Sequence, residues 1–174
     1  DQFKITGSDS AVTPLTVDTI LKQASEESKL HSESTQIAFF GGSFTAINKN
    51  LMIEYLTVAN KYIENGCFDS IRISTRPDCI NHEVLEILKK FNVKTIELGI
   101  QSFDDEVLKN SKRGHTSETA LKSCKLITDY GFELGLQMMC GLPSDNEQKD
   151  LYTANKIIET GCKQVRIYPV VVIE

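Results

Sequence analysis

Glycines, arginines and amides in this chain gather at the ends of short apolar runs. The points are Phe39-Phe40-Gly41-Gly42-Ser43-Phe44, Ser74-Thr75-Arg76-Pro77-Asp78, Gly99-Ile100-Gln101-Ser102, Met139-Cys140-Gly141-Leu142-Pro143 and Arg166-Ile167-Tyr168-Pro169. Gly41 and Gly42 in succession let the backbone approach a ligand with no Cβ in the way. Their free amide and carbonyl groups suit a polar ligand such as an amino-acid moiety, although the same pair also makes a tight turn. Arg76 and Arg113 stand at or beyond such ends, where a guanidinium clamps a carboxylate or phosphate, or is simply solvated. Gln101 directly follows the apolar run Thr95 to Ile100, where a buried amide needs a partner or a ligand. Glu97 lies inside that run, and a carboxylate there is costly unless paired. Two readings stand for it: a structural pair with an arginine, or a place in the interior of a barrel.

The elements that must position these residues alternate. Residues Asp1 to Thr13 are polar and turn-rich and read as a loop. Val17, Ile20, Leu21 and Ala24 follow helical spacing. Gln36 to Phe40 is a buried strand, then a helix runs from about Asn50 to Glu64 with Gly66 as its expected C-terminal cap. Ser70 to Thr75 is a strand, and Asn81 caps the helix bearing Val84, Leu85, Ile87 and Leu88. Thr95 to Ile100 is the next strand, Asp104-Asp105 open a short helix, and Thr116 or Ser117 starts a longer one closed by Gly131. Strand Glu133 to Met139, a helix from about Glu147 to Thr160, and strand Gln164 to Ile167 complete the pattern. Strands alternating with helices predict a parallel α/β sheet with right-handed crossovers. In such folds ligands sit at the C-terminal ends of the strands.

At 174 residues, 40% of them hydrophobic, the chain can bury a core, but a complete eight-fold barrel takes about 250 residues. A partial barrel is therefore expected, with residues 1–174 as one domain, no linker or low-complexity segment interrupting it. The formal charge of -5 argues against an extensive nucleic-acid surface. No apolar run reaches the length of a membrane span and no basic-plus-apolar leader is present, so the expected setting is cytoplasmic. The first residue is Asp1, which suggests a fragment or a processed product. Cys67, Cys79, Cys124, Cys140 and Cys162 have no short metal or redox spacing, and small apolar packing roles fit them. Cys140, at a strand end, is the one expected to face the mouth. His31 and His82 read as helix-start or surface residues. No Ser-His-Asp triad, HExxH, GxxxxGK or dinucleotide fingerprint is indicated.

The segments Phe40-Gly41-Gly42-Ser43-Phe44-Thr45, Ser74 to Asp78, Glu97-Leu98-Gly99-Ile100-Gln101-Ser102, Lys112-Arg113-Gly114-His115-Thr116, Met138 to Pro143 and Arg166 to Pro169 occur in order. Together they resemble the radical SAM superfamily, in the branch of the elongator-complex catalytic subunit and its bacterial relatives. Oxygen-independent coproporphyrinogen III oxidase is a more distant likeness. The resemblance runs from about Phe39 to the C-terminus. It implies a partial, roughly six-stranded βα barrel, its first strand missing here, that binds S-adenosylmethionine at its mouth. By the resemblance Gly41 and Gly42 meet the methionine amino group, and Arg113 its carboxylate. Gln101 and Gln137 match ribose-contacting positions, and Gly141 and Tyr168 lie near the adenine. Ser43, Ser74 and Gln137 replace acidic residues that relatives carry.

The family's [4Fe–4S] cluster is held by cysteines in CxxxCxxC spacing, which this chain does not contain. In relatives that loop precedes the segment that Asp1-Gln2-Phe3-Lys4 resembles. The resemblance thus implies the core of an enzyme that reductively cleaves S-adenosylmethionine to a 5′-deoxyadenosyl radical, the chain alone being inactive and holding no metal. The substrate is not indicated; transfer RNA follows from the resemblance only, with no support from the acidic balance. The alternative is a non-catalytic binding or scaffold module with a pocket at the barrel mouth. A cluster-free barrel enzyme acting on phosphorylated metabolites is less favoured, since no catalytic pair or phosphate loop emerges.

Overall fold

The computed structural model describes residues 12–28 and 34–171. Asp1 to Ala11, His31 and Glu174 lie outside them. Five strands form one all-parallel sheet in sequence order: β1 (Gln36–Phe39), β2 (Ser70–Thr75), β3 (Val93–Gln101), β4 (Glu133–Cys140) and β5 (Gln164–Pro169). The sheet curls into part of a barrel. Its helices are α1 (Pro14–Ser28), α2 (Lys49–Glu64), α3 (His82–Lys90), α4 (Asp105–Asn110), α5 (Ser117–Asp129) and α6 (Glu147–Glu159).

Short polar side chains fix where most helices begin. Asn48, Asn81, Asp104, Thr116 and Asn146 each accept a hydrogen bond from a backbone N–H in the first turn of α2 to α6, satisfying donors that the helix itself leaves orphaned. Two short 3-10 turns, Phe44–Ala46 and Pro77–Cys79, follow β1 and β2. Neither is expected from the sequence, because a three-residue turn carries no periodicity. They matter for the mouth. Thr75 Oγ1 and Thr45 Oγ1 are 2.7 Å apart, and Thr45 Oγ1 donates to the Cys79 carbonyl at 2.8 Å, tying the two turns together.

Successive side chains of the strands point to opposite faces of the sheet. Ile71, Ile73, Ile96, Leu98, Ile100, Leu134 and Leu136 turn to the convex face and are buried against Met52, Leu56, Leu85, Leu88, Ala120 and Ile127 of the helices. The intervening positions face inward and are mostly polar. Cys140 falls on the convex side, packed against the core. The expectation that it faces the mouth is corrected by that alternation: Gln137 and Met139 are the inward residues of β4.

Candidate functional site

A cavity of about 590 Å³ opens at the C-terminal ends of the strands. Gly41, Gly42 and Ser43 line it from the loop after β1, Ser74 from β2, Gln101 from β3, Gln137 from β4, Tyr168 from β5, and Arg113 from the connection between α4 and α5. Eight of the nine residues singled out in the sequence thus share one cavity. Gly141 is not among its lining residues; its N–H donates to Asp145 Oδ2 at 3.2 Å, within the turn after β4. Gly41 takes a φ of 104°, a conformation open to glycine and strained for other residues.

The end of β3 is irregular. Its register against β4 shifts between Gly99 and Gln101, and Gln101 adopts a φ of 66°, unusual for a residue with a side chain. The bend folds the Gln101 amide back over Gly99, so that a Cβ on Gly99 would stand 2.7 Å from Gln101 Nε2. Gln137 Nε2 donates to Gln101 Oε1 at 3.4 Å. Two amides are thereby presented side by side on the cavity wall.

The two candidate arginines differ in what holds them. Arg76 donates through Nε to Asp78 Oδ1 at 3.0 Å and through Nη2 to Asp78 Oδ2 at 2.6 Å. Its fork is occupied. Burial alone pushes the Asp78 carboxyl up, but the hydrogen bonds and charge of Arg76 outweigh it and the net displacement is downward. Arg113 is half-buried, its Nε has no partner, and its Nη2 donates to the Met139 thioether at 3.0 Å, a weak acceptor. No ion pair neutralises it among the described residues, and burial pushes its pKa down. A desolvated cation facing a cavity has the charge and the free donors to pair with an anion.

Two groups that the sequence reading leaves unassigned also shape the cavity. His115 is buried, and its Nε2–H donates to the Ile100 carbonyl at 3.1 Å. That bond fixes the tautomer and leaves Nδ1 as a buried acceptor with no partner. Deeper in the cavity, Glu97 lies between arginines from two strands. Arg166 Nε stands 3.1 Å and Arg72 Nη2 3.7 Å from Glu97 Oε2. Both readings of Glu97 therefore hold together: it pairs with arginine and it lines the interior. Burial pushes its pKa up, against the opposing charges of Arg166 and Arg72. The signal for Arg166 and Arg72 is their alternation with Val165, Ile167, Ile71 and Ile73 along the two strands.

Among the described residues no group of three or more His, Cys, Asp or Glu could hold a metal ion, and no helix is long and apolar enough to cross a membrane.

A family model described as "Radical SAM superfamily" matches residues 3–157. The chain belongs to the radical SAM superfamily. It is 32% identical over 118 residues to a tRNA uridine(34) acetyltransferase of Methanocaldococcus jannaschii, covering 66% of this chain and 22% of that relative. Elongator complex protein 3 of Dictyostelium discoideum is 32% identical over 107 residues, covering 59% of this chain and 19% of the relative. Among solved structures, archaeal Methanocaldococcus infernus Elp3 with an N-terminal deletion superposes with a TM-score of 0.75 at 25% identity, covering 92% of this chain and 42% of that one. The radical SAM enzyme HemN, coproporphyrinogen III oxidase of Escherichia coli, shares the fold with a TM-score of 0.67 at 18% identity, over 94% of this chain and 39% of that one. The five-stranded parallel sheet is thus a radical SAM partial barrel. This chain spans well under half the length of these relatives.

Proposed function

We propose that the cavity binds S-adenosylmethionine and that this chain is the barrel core of a radical SAM enzyme. The observation that carries the reading is Arg113, a half-buried guanidinium at the mouth whose one hydrogen bond goes to a thioether. It takes the methionine carboxylate. The backbone of Gly41 and Gly42 meets the amino group, and the paired amides of Gln101 and Gln137 take the ribose hydroxyls. Tyr168, with Ser43 and Ser74 from the loop after β1 and the end of β2, completes the adenosyl side, and Gly141, which does not line the cavity, shapes only the turn after β4. When bound and reductively cleaved, S-adenosylmethionine supplies a radical that abstracts hydrogen from a substrate. The described residues offer no ligand set for an iron–sulfur cluster, so their part is to hold and orient the nucleotide and exclude water around it. The names of the relatives make transfer RNA the proposed substrate of the longer protein, and the cytoplasm its proposed compartment. Residues 1–174 are proposed to fold as one domain.

Calorimetric titration with S-adenosylhomocysteine at millimolar ligand tests the pocket. Saturable heat that disappears in Arg113→Ala is expected. A folded chain giving no heat at all overturns the reading.

A further inference from the structure

The cavity carries more positive charge than one S-adenosylmethionine uses. Arg76 is neutralised by Asp78, and Arg113 is assigned above to a carboxylate. Deeper, two guanidiniums, Arg72 and Arg166, share the single carboxylate of Glu97, so among the described residues one positive charge stays uncompensated. S-adenosylmethionine cannot supply the missing anion, since its sulfonium and ammonium groups outnumber its one carboxylate.

The cluster is built as a site. Arg166 Nε is fixed by Glu97 at 3.1 Å and its Nη1 lies 3.4 Å from Tyr168 Oη. The Phe40 ring covers one face of its guanidinium, with Cζ 4.5 Å from the ring centroid. An arginine stacked and braced in this way keeps its fork pre-oriented, and its side chain remains 38% exposed towards the cavity. Arg72 is held by Gln164, to which its Nη2 donates, and approaches the same ring at 5.7 Å. Its buried Nε has no partner, and neither has Glu97 Oε1, on a side chain only 2% exposed. Arg166 stands directly across from Gln137 on the neighbouring strand, so the cluster adjoins the ribose-facing amides.

We propose that Arg166, braced by Phe40 and Glu97, forms a second subsite that binds an oxyanion, a phosphate or carboxylate group carried by a second ligand of this cavity. The charge count rests on the S-adenosylmethionine reading; the bracing of Arg166 does not. The second ligand is placed beside the nucleotide, where the substrate of a hydrogen-abstracting enzyme must lie.

The test follows the Nε resonances of Arg113 and Arg166 by nitrogen-15 NMR of the chain. Inorganic phosphate and acetate are titrated separately, with S-adenosylhomocysteine as a third probe. Phosphate should shift the Arg166 resonance saturably, and Arg166→Gln should weaken phosphate at least ~10-fold, the scale of one charged hydrogen bond, while leaving the S-adenosylhomocysteine response of Arg113 intact. Acetate binding as well as phosphate assigns the subsite to carboxylates too; phosphate alone assigns it to phosphoryl groups. Glu97→Gln, which removes the competing negative charge, should tighten phosphate several-fold and keeps the test open if Arg166→Gln does not fold. A linear, unsaturable response, or a shift confined to Arg113, overturns the subsite. Saturable phosphate at Arg166 with no S-adenosylhomocysteine response at Arg113 upholds the subsite and defeats the nucleotide reading.

Discussion

The two faces of the curled sheet are made by alternate residues of the same strands, and they answer to different demands. On β3, Ile96, Leu98 and Ile100 turn outward and have no exposed surface. Glu97, Gly99 and Gln101 turn inward and line the cavity. These outward residues pack into the core with helix side chains such as Leu85, Leu88 and Ile127. The inward set includes unpartnered polar atoms and a cation without an anion. The outward face of β2 to β4 is covered by the helices, although Val165 and Ile167 of β5 stay exposed; the inward face keeps polar atoms that have no partner among the described residues. A strand period of two therefore separates residues that pack the core from residues that line the cavity, with no more than one position between them.

The contrast is sharpest on β4. Leu136 is buried at 0% exposure, whereas its neighbour Gln137 is only partly covered and faces the cavity. Leu136→Ala should cost roughly 2–5 kcal/mol, from lost transfer free energy and the cavity left behind. Gln137→Ala should cost below about 1 kcal/mol, the scale of a marginal hydrogen bond. Denaturant midpoints of the two variants, with equal slopes, measure the gap. Comparable losses for the two would show that both faces bear on stability alike.

Arg113 extends the comparison to a residue whose removal should help the fold. Replacing a half-buried, unneutralised guanidinium by Met keeps the aliphatic bulk and removes a desolvation cost, so Arg113→Met should leave stability unchanged or raise it by up to about 1 kcal/mol. The same change should weaken S-adenosylhomocysteine by roughly 1.5–3 kcal/mol, the range for a hydrogen bond to a charged group. Arg113→Lys should recover only part, because an ammonium lacks the planar fork. A variant that binds as before would remove Arg113 from the site.

Much of this architecture is legible in the sequence. The five strands stand out as apolar runs ended by glycine or polar residues. Asn81, Asp104 and Thr116 announce helix starts because capping is a local interaction of a few residues. The likeness of six ordered segments to radical SAM enzymes brings eight cavity residues into view together. The inward polar row is harder to read. Arg72 and Arg166 each sit singly between aliphatic residues, so a run that looks uniformly buried conceals an alternation. The difference between Arg76 and Arg113 is half local: Asp78, two residues after Arg76, is the visible partner. That no carboxylate among the described residues pairs with Arg113 is a fact of three dimensions only. His115 likewise gains its fixed tautomer from the Ile100 carbonyl, fifteen residues away.

The smallest effect expected is on pH dependence, and it separates two arginine-paired carboxylates by sign. Asp78 is held below the ordinary carboxylate range by Arg76, burial notwithstanding. Its contribution to stability is present above its unfolded pKa and is lost as pH falls through the lowered folded value. Glu97 is displaced the other way, since burial outweighs Arg166 and Arg72. Folded Glu97 then holds its proton at a pH where the unfolded chain has released it. Its contribution is complete below the unfolded pKa and is lost as pH rises through the raised folded value. Other carboxylates mask both slopes in the parent chain, so the readable quantity is the difference between parent and variant. Across mildly acidic pH, the parent should lose stability relative to Glu97→Gln as pH rises, and gain it relative to Asp78→Asn. Unfolding midpoints measured at a series of pH values give both curves. Slopes of the same sign would mean that the arginine pair dominates at Glu97 as it does at Asp78. The deeper cluster would then be a self-satisfied ion pair, and the contrast between a covered outer row and an unsatisfied inner one would narrow to Arg113 alone.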